Sequence, residues 1–377
     1  MEKFGKSQSV KRVEDIRFLT GAGRYVDDIA PETALRGYVF RSPVAHASID
    51  TLDVTEARDA PGVRLVMTAA DLADAGITEG ISGVTVPNRD GSTGAAPFRP
   101  LLATGTVRYV GEPVAFIVAE TLEAARDAAE LIEFDYSEKA VHLDVAMGGD
   151  TIHPEAPNNR AFDWGMGDED ATRTAFDSAH RTVSLDVEDN RIIVNALEPR
   201  GCYAEMEDDR LHLSLNAQGV WSHKSELARV LNMDAESIRI TNPDVGGGFG
   251  MKAMPHNENF LVATAAKTLG HPVRWMSERT EGMLSDNAGR DLTHTAELAF
   301  DENNRITAYR VHTVANMGAY NSHFAQAIQT SLFSKVLMGV YDVQTSWLHV
   351  EGVYTNTTPV DAYRGAGRPE AIYLLER

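Results

Sequence analysis

Four glycines and one phenylalanine stand close together near the middle of the chain, within residues 245–250, which we call the glycine loop. Residues 238–240 just before it have the pattern of a short strand. Residues 261–269 after it carry apolar side chains at helical spacing and are followed by Gly270, so the loop is predicted between a strand and a helix. Because glycine has no Cβ, such a loop can adopt positive φ and present successive N–H groups to an anion.

The glycine loop does not match the two common nucleotide-binding fingerprints. A dinucleotide fold requires G-x-G-x-x-G, and the third glycine would fall at Met251. A P-loop requires Gly-Lys before Ser or Thr, whereas here Lys252 follows Met251. A phosphate or nucleotide binder is therefore a disfavoured alternative. Taken alone, the loop is also typical of a tight bulge or a strand-to-helix turn.

Composition excludes several classes of protein. The chain has 377 residues, which predicts two or three domains. It carries 55 acidic against 35 basic residues, for a net charge of −20, and no basic cluster, which argues against nucleic acid as a partner. Cys202 is the single cysteine, so this chain can form no internal disulfide and cannot by itself ligate an iron–sulfur cluster. Any such cluster is predicted on another subunit.

The apolar segments of the sequence are short. The N-terminus is polar and charged, and no uninterrupted apolar run approaches the roughly 18 residues that a membrane span requires. We therefore predict a cytoplasmic protein with no membrane contact.

Hydrophobic patterning predicts an α+β chain. Residues 113–136 indicate a strand, a helix capped by Thr121, and a second strand. Residues 77–100, rich in Gly, Ser, Thr and Pro, indicate an exposed loop. Later, the leucines within 211–215 alternate with polar residues, as in a half-buried strand; Ser222 is predicted to cap a helix, and residues 295–314 to form a hairpin.

Three separated segments resemble a known family. Residues 218–221, 245–250 and 362–368 read QGVW, VGGGFG and AYRGAGR. In this order they resemble the molybdenum-binding large subunit of the xanthine dehydrogenase, aldehyde oxidase and carbon monoxide dehydrogenase family. Further similar segments lie in the first part of the chain, at residues 12–15, 19–21, 23–28, 41–47 and 110–115.

The resemblance implies a fold and a domain division. It implies an α+β protein, with an N-terminal α/β hammerhead-type domain over residues 1–150 and a linker over residues 151–173. The first part of a mixed α+β molybdopterin-binding domain would follow over residues 174–377.

The resemblance also implies a site. Cofactor-binding residues would be Gln218, Gly247, Gly248, Phe249, Gly250 and Arg364. Residues 253, 365 and 366, which are Ala253, Gly365 and Ala366, would line the substrate pocket. No side chain would ligate the metal, because molybdenum is held through the pterin. An anionic oxo centre calls for hydrogen-bond donors, and the N–H groups of a glycine loop supply them without a competing charge.

The implied activity is hydroxylation of a small-molecule substrate. Members of the family oxidise a C–H bond of an aldehyde or an N-heteroaromatic compound, with water as the oxygen source. Electrons then pass to a 2Fe-2S small subunit and an FAD medium subunit. The bacterial branch that this chain resembles uses molybdopterin in its cytosine dinucleotide form.

Three positions bear on the substrate. Copper-containing carbon monoxide dehydrogenases place a cysteine after the motif arginine, where this chain has Gly365. Purine-oxidising members place an aromatic residue and a glutamate where this chain has Ala366 and Ala253. The sequence therefore disfavours carbon monoxide and xanthine, and leaves an aldehyde or another N-heteroaromatic compound open.

No catalytic residue is identified in the sequence. The family's catalytic glutamate belongs to the later half of the subunit. No carboxylate of this chain is assigned that role by motif, since Glu258 and Glu278 could equally be ordinary surface charges. We therefore expect the chain to be inactive alone, as a truncated product, a fragment, or one half of a split subunit whose second polypeptide supplies the rest. The alternative is an assembly module that binds no cofactor.

Overall fold

The computed structural model describes residues 9–377, which form three β-sheets with helices packed on them. The predicted first domain begins at residue 1, but residues 1–8 lie outside the described residues. The strands are β1 (Leu35–Arg41), β2 (Ala47–Asp53), β3 (Val63–Met67), β4 (Thr106–Val107), β5 (Pro113–Ala119), β6 (Glu133–Glu138), β7 (Arg160–Gly167), β8 (Arg181–Asp189), β9 (Gly201–Glu207), β10 (Arg210–Leu215), β11 (Ile238–Thr241), β12 (Val273–Met276), β13 (Leu292–Phe300), β14 (Ile306–Gly318) and β15 (Thr345–Tyr354).

Helices are spread along the whole described chain. They are α1 (Asp15–Leu19), α2 (Val26–Ile29), α3 (Thr55–Asp59), α4 (Ala69–Asp74), α5 (Leu122–Glu130), α6 (Glu169–Asp177), α7 (Trp221–Val230), α8 (Asn257–Leu269), α9 (Arg279–Ser285), α10 (Ala325–Ala327) and α11 (Arg368–Glu376). Helix α10 continues as a π-helical turn over Ile328–Leu332.

The largest sheet joins the two halves of the chain. Its seven strands lie in the order β11-β10-β9-β12-β1-β5-β3. Strand β1, from the first half, pairs in parallel with β12 and antiparallel with β5. A five-stranded sheet, β7-β15-β14-β13-β8, is formed by strands within residues 160–354, and a three-stranded sheet, β4-β2-β6, by strands within residues 47–138.

The predicted strand–helix–strand unit is confirmed as β5, α5 and β6. The hydroxyl of Thr121 accepts a hydrogen bond from the Ala124 N–H at 3.1 Å, as expected of an N-cap. All seven residues of β5 are buried, which explains its continuous apolar run. Strand β6 instead alternates in exposure and pairs with β2 in the three-stranded sheet.

Two local predictions differ from the structure. Strand β10 is fully buried after its first residue, not half-buried, because the polar side chain of His212 bonds to the Thr241 hydroxyl of β11 at 2.7 Å. Helix α7 begins at Trp221 with Val220 as N-cap and no side-chain cap, so Ser222 lies inside the helix. The cap at Gly270, with φ of +59°, and the antiparallel hairpin β13–β14 are confirmed.

The segments predicted as an exposed loop and as a linker both form defined hydrogen bonds with the rest of the protein. Residues 77–100 contain no helix or named strand, yet the Val84 N–H donates to the His323 carbonyl and the Val86 N–H to the side chain of Gln326. Within the predicted linker, β7 is an edge strand paired with β15, and α6 follows it. None of the helices in residues 9–377 combines the length and apolarity that crossing a bilayer requires.

Candidate functional site

The first and second family segments touch each other. The side-chain oxygen of Gln218 accepts a hydrogen bond from the Gly250 N–H at 2.6 Å, and the Gln218 N–H donates to the Lys252 carbonyl at 3.0 Å. Because the carbonyl end of the amide is used by the loop, the NH₂ end is left as the donor. Gln218 is exposed at the end of the turn that leaves β10.

The glycine loop needs its glycines for close approach and for positive φ. Gly247 and Gly250 have φ of +104° and +102°. A Cβ at Gly250 would lie 2.8 Å from the Ala362 carbonyl oxygen. Phe249 also has a positive φ, +50°, which is uncommon for an aromatic residue, and its ring is 40% exposed. The loop thus holds Phe249 outward in a conformation that its neighbours must maintain.

The third segment supplies that restraint. The Arg364 N–H donates to the Phe249 carbonyl at 2.7 Å, and the Arg364 guanidinium lies 5.4 Å from the centre of the Phe249 ring. Arg290 in turn donates to the carbonyl of Tyr363 at 2.9 Å and is paired with the buried Glu370. The structure therefore brings Gln218, Phe249 and Arg364 together from three distant parts of the chain.

A buried ion pair supports the loop from one side. The carboxylate of Glu198 accepts from the Gly246 N–H at 2.7 Å, and the Lys252 ammonium lies 3.3 Å from the same oxygen and 2.7 Å from the Glu198 carbonyl. Burial lowers the pKa of Lys252, while Glu198 acts in the opposite direction. Sequence reasoning missed Glu198, Lys252 and Arg290, because no motif marks them. Only the position of Lys252 directly after the loop gave a signal.

The site carries hydrogen-bond donors without protein acceptors. Among residues 9–377, the N–H groups of Gly247, Gly248 and Phe249 have no hydrogen-bond acceptor. No described carboxylate lies within ion-pair distance of Arg364, although the chain as a whole is strongly acidic. Three amides and a guanidinium on neighbouring segments are suited to an anionic, oxygen-rich ligand.

The three predicted substrate-pocket residues adjoin these groups in the chain. Gly365 and Ala366 follow Arg364 directly, with φ of +104° and +34°. A Cβ at Gly365 would lie 2.5 Å from the ring of Pro369, so a side chain there would require a different backbone. Ala253 ends the short helical turn after the loop, and its N–H donates to the Gly250 carbonyl at 2.9 Å.

Of the two glutamates that could equally have been ordinary surface charges, one is buried. Glu258 is 2% exposed and pairs with Arg200 at 2.5 Å and with Arg41 at 2.6 Å. Burial alone would raise the pKa of Glu258, but the two guanidinium groups hold that pKa well below its usual range. Glu258 is therefore a buried carboxylate held between two guanidinium groups. Glu278 is exposed, as expected, and pairs with Arg126.

Comparisons with known proteins agree with this arrangement. Residues 152–377 match the molybdopterin cofactor-binding domain, and residues 20–140 match the a/b hammerhead domain of aldehyde oxidase and xanthine dehydrogenase. The chain belongs to the molybdenum hydroxylase large-subunit family. Both the resemblance and the predicted α+β fold, with a hammerhead and a molybdopterin-binding domain, are confirmed.

Individual members of the molybdenum hydroxylase family are similar along almost the whole chain. The nicotine 6-hydroxylase large subunit of Paenarthrobacter nicotinovorans is 35% identical, with 95% of this chain and 44% of that protein covered. The carbon monoxide dehydrogenase large chain of Afipia carboxidovorans is 32% identical, with 97% and 46% covered.

Solved structures of the family give the same picture. Carbon monoxide dehydrogenase from Oligotropha carboxidovorans superposes with a TM-score of 0.88 at 31% identity and covers 98% of this chain and 47% of its own. Quinoline 2-oxidoreductase from Pseudomonas putida 86 gives 0.87 at 32% identity, with 98% and 48% covered. This chain thus spans about half the length of the relatives that it matches.

Proposed function

We propose that this chain forms part of the molybdopterin site of a molybdenum hydroxylase, with Gln218, residues 247–250 and Arg364 as the cofactor-binding residues. The observation that carries the proposal is the mutual contact of these three segments. There, three backbone N–H groups and one guanidinium have no acceptor among the described residues. A phosphate- and oxo-bearing cofactor provides the acceptors that these donors lack.

Each residue has a distinct part in this proposal. When bound, the cofactor supplies the molybdenum chemistry that hydroxylates a C–H bond with oxygen from water. The NH₂ group of Gln218 donates to an anionic oxygen, since the carbonyl end of the amide is held by Gly250. The Phe249 ring provides an apolar wall that excludes water, and Arg364 supplies the positive charge, stacked on that ring.

The proposed substrate is a small N-heteroaromatic compound or an aldehyde. Two of the similar proteins are named as a nicotine hydroxylase and a quinoline oxidoreductase, which supports the N-heteroaromatic class. Gly365, Ala366 and Ala253 are small and apolar, so they leave room for a flat ring. The residue after Arg364 is not a cysteine, and its positive φ favours glycine, so we do not propose copper-dependent oxidation of carbon monoxide.

Partner subunits are proposed to carry the electrons. The only cysteine, Cys202, is 1% exposed, and burial raises its pKa to about 12, so it does not offer a thiolate to a cluster. A 2Fe-2S small subunit and an FAD medium subunit would then complete the path. We further propose that the pterin is the cytosine dinucleotide form and that the protein is cytoplasmic. We propose that the catalytic glutamate comes from outside residues 1–377, on a second polypeptide if the subunit is split.

Metal analysis of the assembled protein tests this function. The chain would be co-expressed with candidate iron–sulfur and FAD subunits of the same organism, purified, and assayed for molybdenum and for pterin. We expect about one molybdenum per chain, reduced at least tenfold by Arg364→Ala or Gln218→Ala. The matched control is Arg305→Ala, an exposed arginine in the β13–β14 turn, which should keep its molybdenum.

The same measurement distinguishes the proposed cofactor-binding function from its alternative. A correctly assembled complex without molybdenum or pterin would contradict the proposal and favour an assembly module that binds no cofactor. Oxidation of quinoline- and aldehyde-type compounds by the loaded complex, followed with an artificial electron acceptor, then decides the substrate class.

A further inference from the structure

The outer face of the five-stranded sheet carries two neighbouring histidines. His312 on β14 and His349 on β15 are register partners in the parallel pair. Val311 and Leu348, which precede them, are completely buried. Because side chains alternate along a strand, both imidazoles are placed on the face opposite the core. Glu351, two residues after His349, is on that same face.

These three side chains are spaced like metal ligands. His312 Nε2 lies 3.1 Å from Glu351 Oε2, and one potential ligand atom from each of His312, His349 and Glu351 lies within 4.8 Å of the others. The imidazole rings stack with centroids 4.9 Å apart. In a tetrahedral zinc site, with bonds of about 2.0–2.2 Å, neighbouring ligand atoms are about 3.3 Å apart. The His312–Glu351 spacing already matches this value, and His349 offers the third ligand atom within 4.8 Å of the other two.

We propose that His312, His349 and Glu351 form a binding site for a divalent metal ion, and that the ion is Zn²⁺. Two imidazoles and a carboxylate are a donor set that zinc accepts, and a water molecule would take the fourth position. All three side chains are partly exposed, so a metal ion can reach them from solvent.

One of the two imidazoles has a carboxylate partner. Asp163 Oδ1 lies 2.7 Å from His349 Nε2, which fixes the ring and leaves Nδ1 for the metal. A carboxylate behind a ligating histidine orients it and strengthens its bond to the metal. Four arginines lie nearby, each with a carboxylate partner. Arg310 pairs with Glu297 at 2.7 Å and Arg173 with Asp170 at 2.6 Å, and Arg89 and Arg160 lie 3.9 and 3.7 Å from Asp163.

A second cluster in the described residues fits zinc less well. It combines Glu205 and Glu207 with one histidine, His212. That imidazole is buried, with one nitrogen bonded to the Thr241 hydroxyl and the other facing the two carboxylates. Neither cluster includes a residue of the proposed molybdopterin site, so zinc binding and molybdenum binding can fail independently.

Zinc binding to the full chain tests the proposal. Equilibrium dialysis of the chain against Zn²⁺, followed by metal analysis, should give one bound zinc per chain. His312→Ala, His349→Ala and Glu351→Gln should each weaken this binding more than tenfold. Asp163→Asn, which removes only the group behind His349, should weaken it by about tenfold. His180→Ala, an exposed histidine outside both clusters, is the matched control and should bind zinc as the unmodified chain does.

Three results would overturn the proposal. The chain could fail to bind Zn²⁺, it could bind with equal affinity in the His312→Ala and His349→Ala variants, or His212→Gln could be the variant that abolishes binding. Circular dichroism of each variant establishes that it is folded, so a lost site is not confused with a lost structure. Co²⁺ in place of Zn²⁺ gives an independent readout, since tetrahedral coordination by His312, His349 and Glu351 produces a strong visible absorption.

Discussion

At the scale of single residues, two glutamates that the sequence does not distinguish have opposite environments. Glu258 lies between two buried guanidinium groups, whereas Glu278 forms an exposed pair with Arg126. Removal of one partner from a buried ion pair leaves an uncompensated charge away from water, which is strongly unfavourable. An exposed pair contributes little because water and salt screen it.

We therefore predict unequal effects of the same substitution. Glu258→Gln should lower the free energy of unfolding by about 3 kcal/mol, because Arg200 and Arg41 retain only Asp286 and Glu281 as charged partners. Glu278→Gln, the matched control, should lower it by less than about 1 kcal/mol. Urea denaturation measures the free energy of unfolding of both variants, and because urea is uncharged it does not screen the ion pairs as a salt would. Equal losses in the two variants would contradict the assigned roles.

The burial of Glu258 had one signal in the sequence. Residues 260–266 of α8 are almost all apolar in the sequence, and a helix that is apolar on every side is a core helix. All seven residues are buried in the structure. A charge within such a helix requires a partner. The partners themselves could not be predicted. Arg41, at the end of β1, and Arg200, just before β9, are distant from Glu258 in the chain, and no local pattern pairs them with it.

At the scale of elements, the glycine loop has two glycines with different requirements. Gly250 combines a φ of +102° with a backbone neighbour, the Ala362 oxygen, 2.8 Å from any added Cβ. At Gly248 the φ is ordinary, and an added Cβ would meet the exposed side chain of Gln218, at 2.5 Å, which can move.

Alanine should therefore act differently at the two positions. Gly250→Ala is expected to lower the free energy of unfolding by about 2 kcal/mol or more, through backbone strain and the clash with residue 362. Gly248→Ala should change it by less than about 1 kcal/mol while displacing the Gln218 amide, so bound molybdenum should fall without loss of stability. Urea denaturation and molybdenum content test the pair, and a stable Gly250→Ala variant would show that the loop tolerates a Cβ there.

Elements formed by local patterns were predictable, and those fixed by remote strands were not. The strand–helix–strand unit and the Gly270 cap depend on neighbouring residues, and both are confirmed. The strand β7 could not be predicted from local sequence. It is an edge strand that depends on pairing with β15, which comes much later in the chain. The full burial of β10 has the same cause, because neighbouring strands provide the partner of His212.

At the scale of the whole molecule, the two family domains share one sheet. Strand β1 from the first half lies between β12 and β5, and Arg41 at its end pairs with Glu258 of α8. The contact between Gln218, Phe249 and Arg364 also depends on the fold of the whole molecule. The sequence indicated it only through the resemblance to a family, since no local pattern places residue 364 beside residue 249.

Stability of the whole molecule should depend on pH through buried histidines. Burial lowers the pKa of His153, His223 and His294 to about 4, against an ordinary value of 6.5. Between these values the unfolded chain binds more protons than the folded one, so each histidine makes stability rise with pH. The contribution is fully present above pH 6.5 and is lost as pH falls toward 4. Asp189, whose pKa burial raises to about 6, opposes part of this slope.

A variant isolates one histidine from these opposing groups. His153 lies 2.6 Å from the Ala319 carbonyl through Nε2, a contact that the amide of glutamine can replace as a donor. For a shift from 6.5 to about 4, linkage gives a loss of about 1.5 kcal/mol between pH 6.5 and pH 5. His153→Gln should remove that loss, so urea midpoints of the variant should fall less steeply with acidification than those of the unmodified chain. His223→Gln should flatten the profile by a similar amount, and the double variant by the sum, because each site binds its own proton. Parallel profiles for all four proteins would mean that these imidazoles are protonated in the folded chain and that their burial does not set its acid stability.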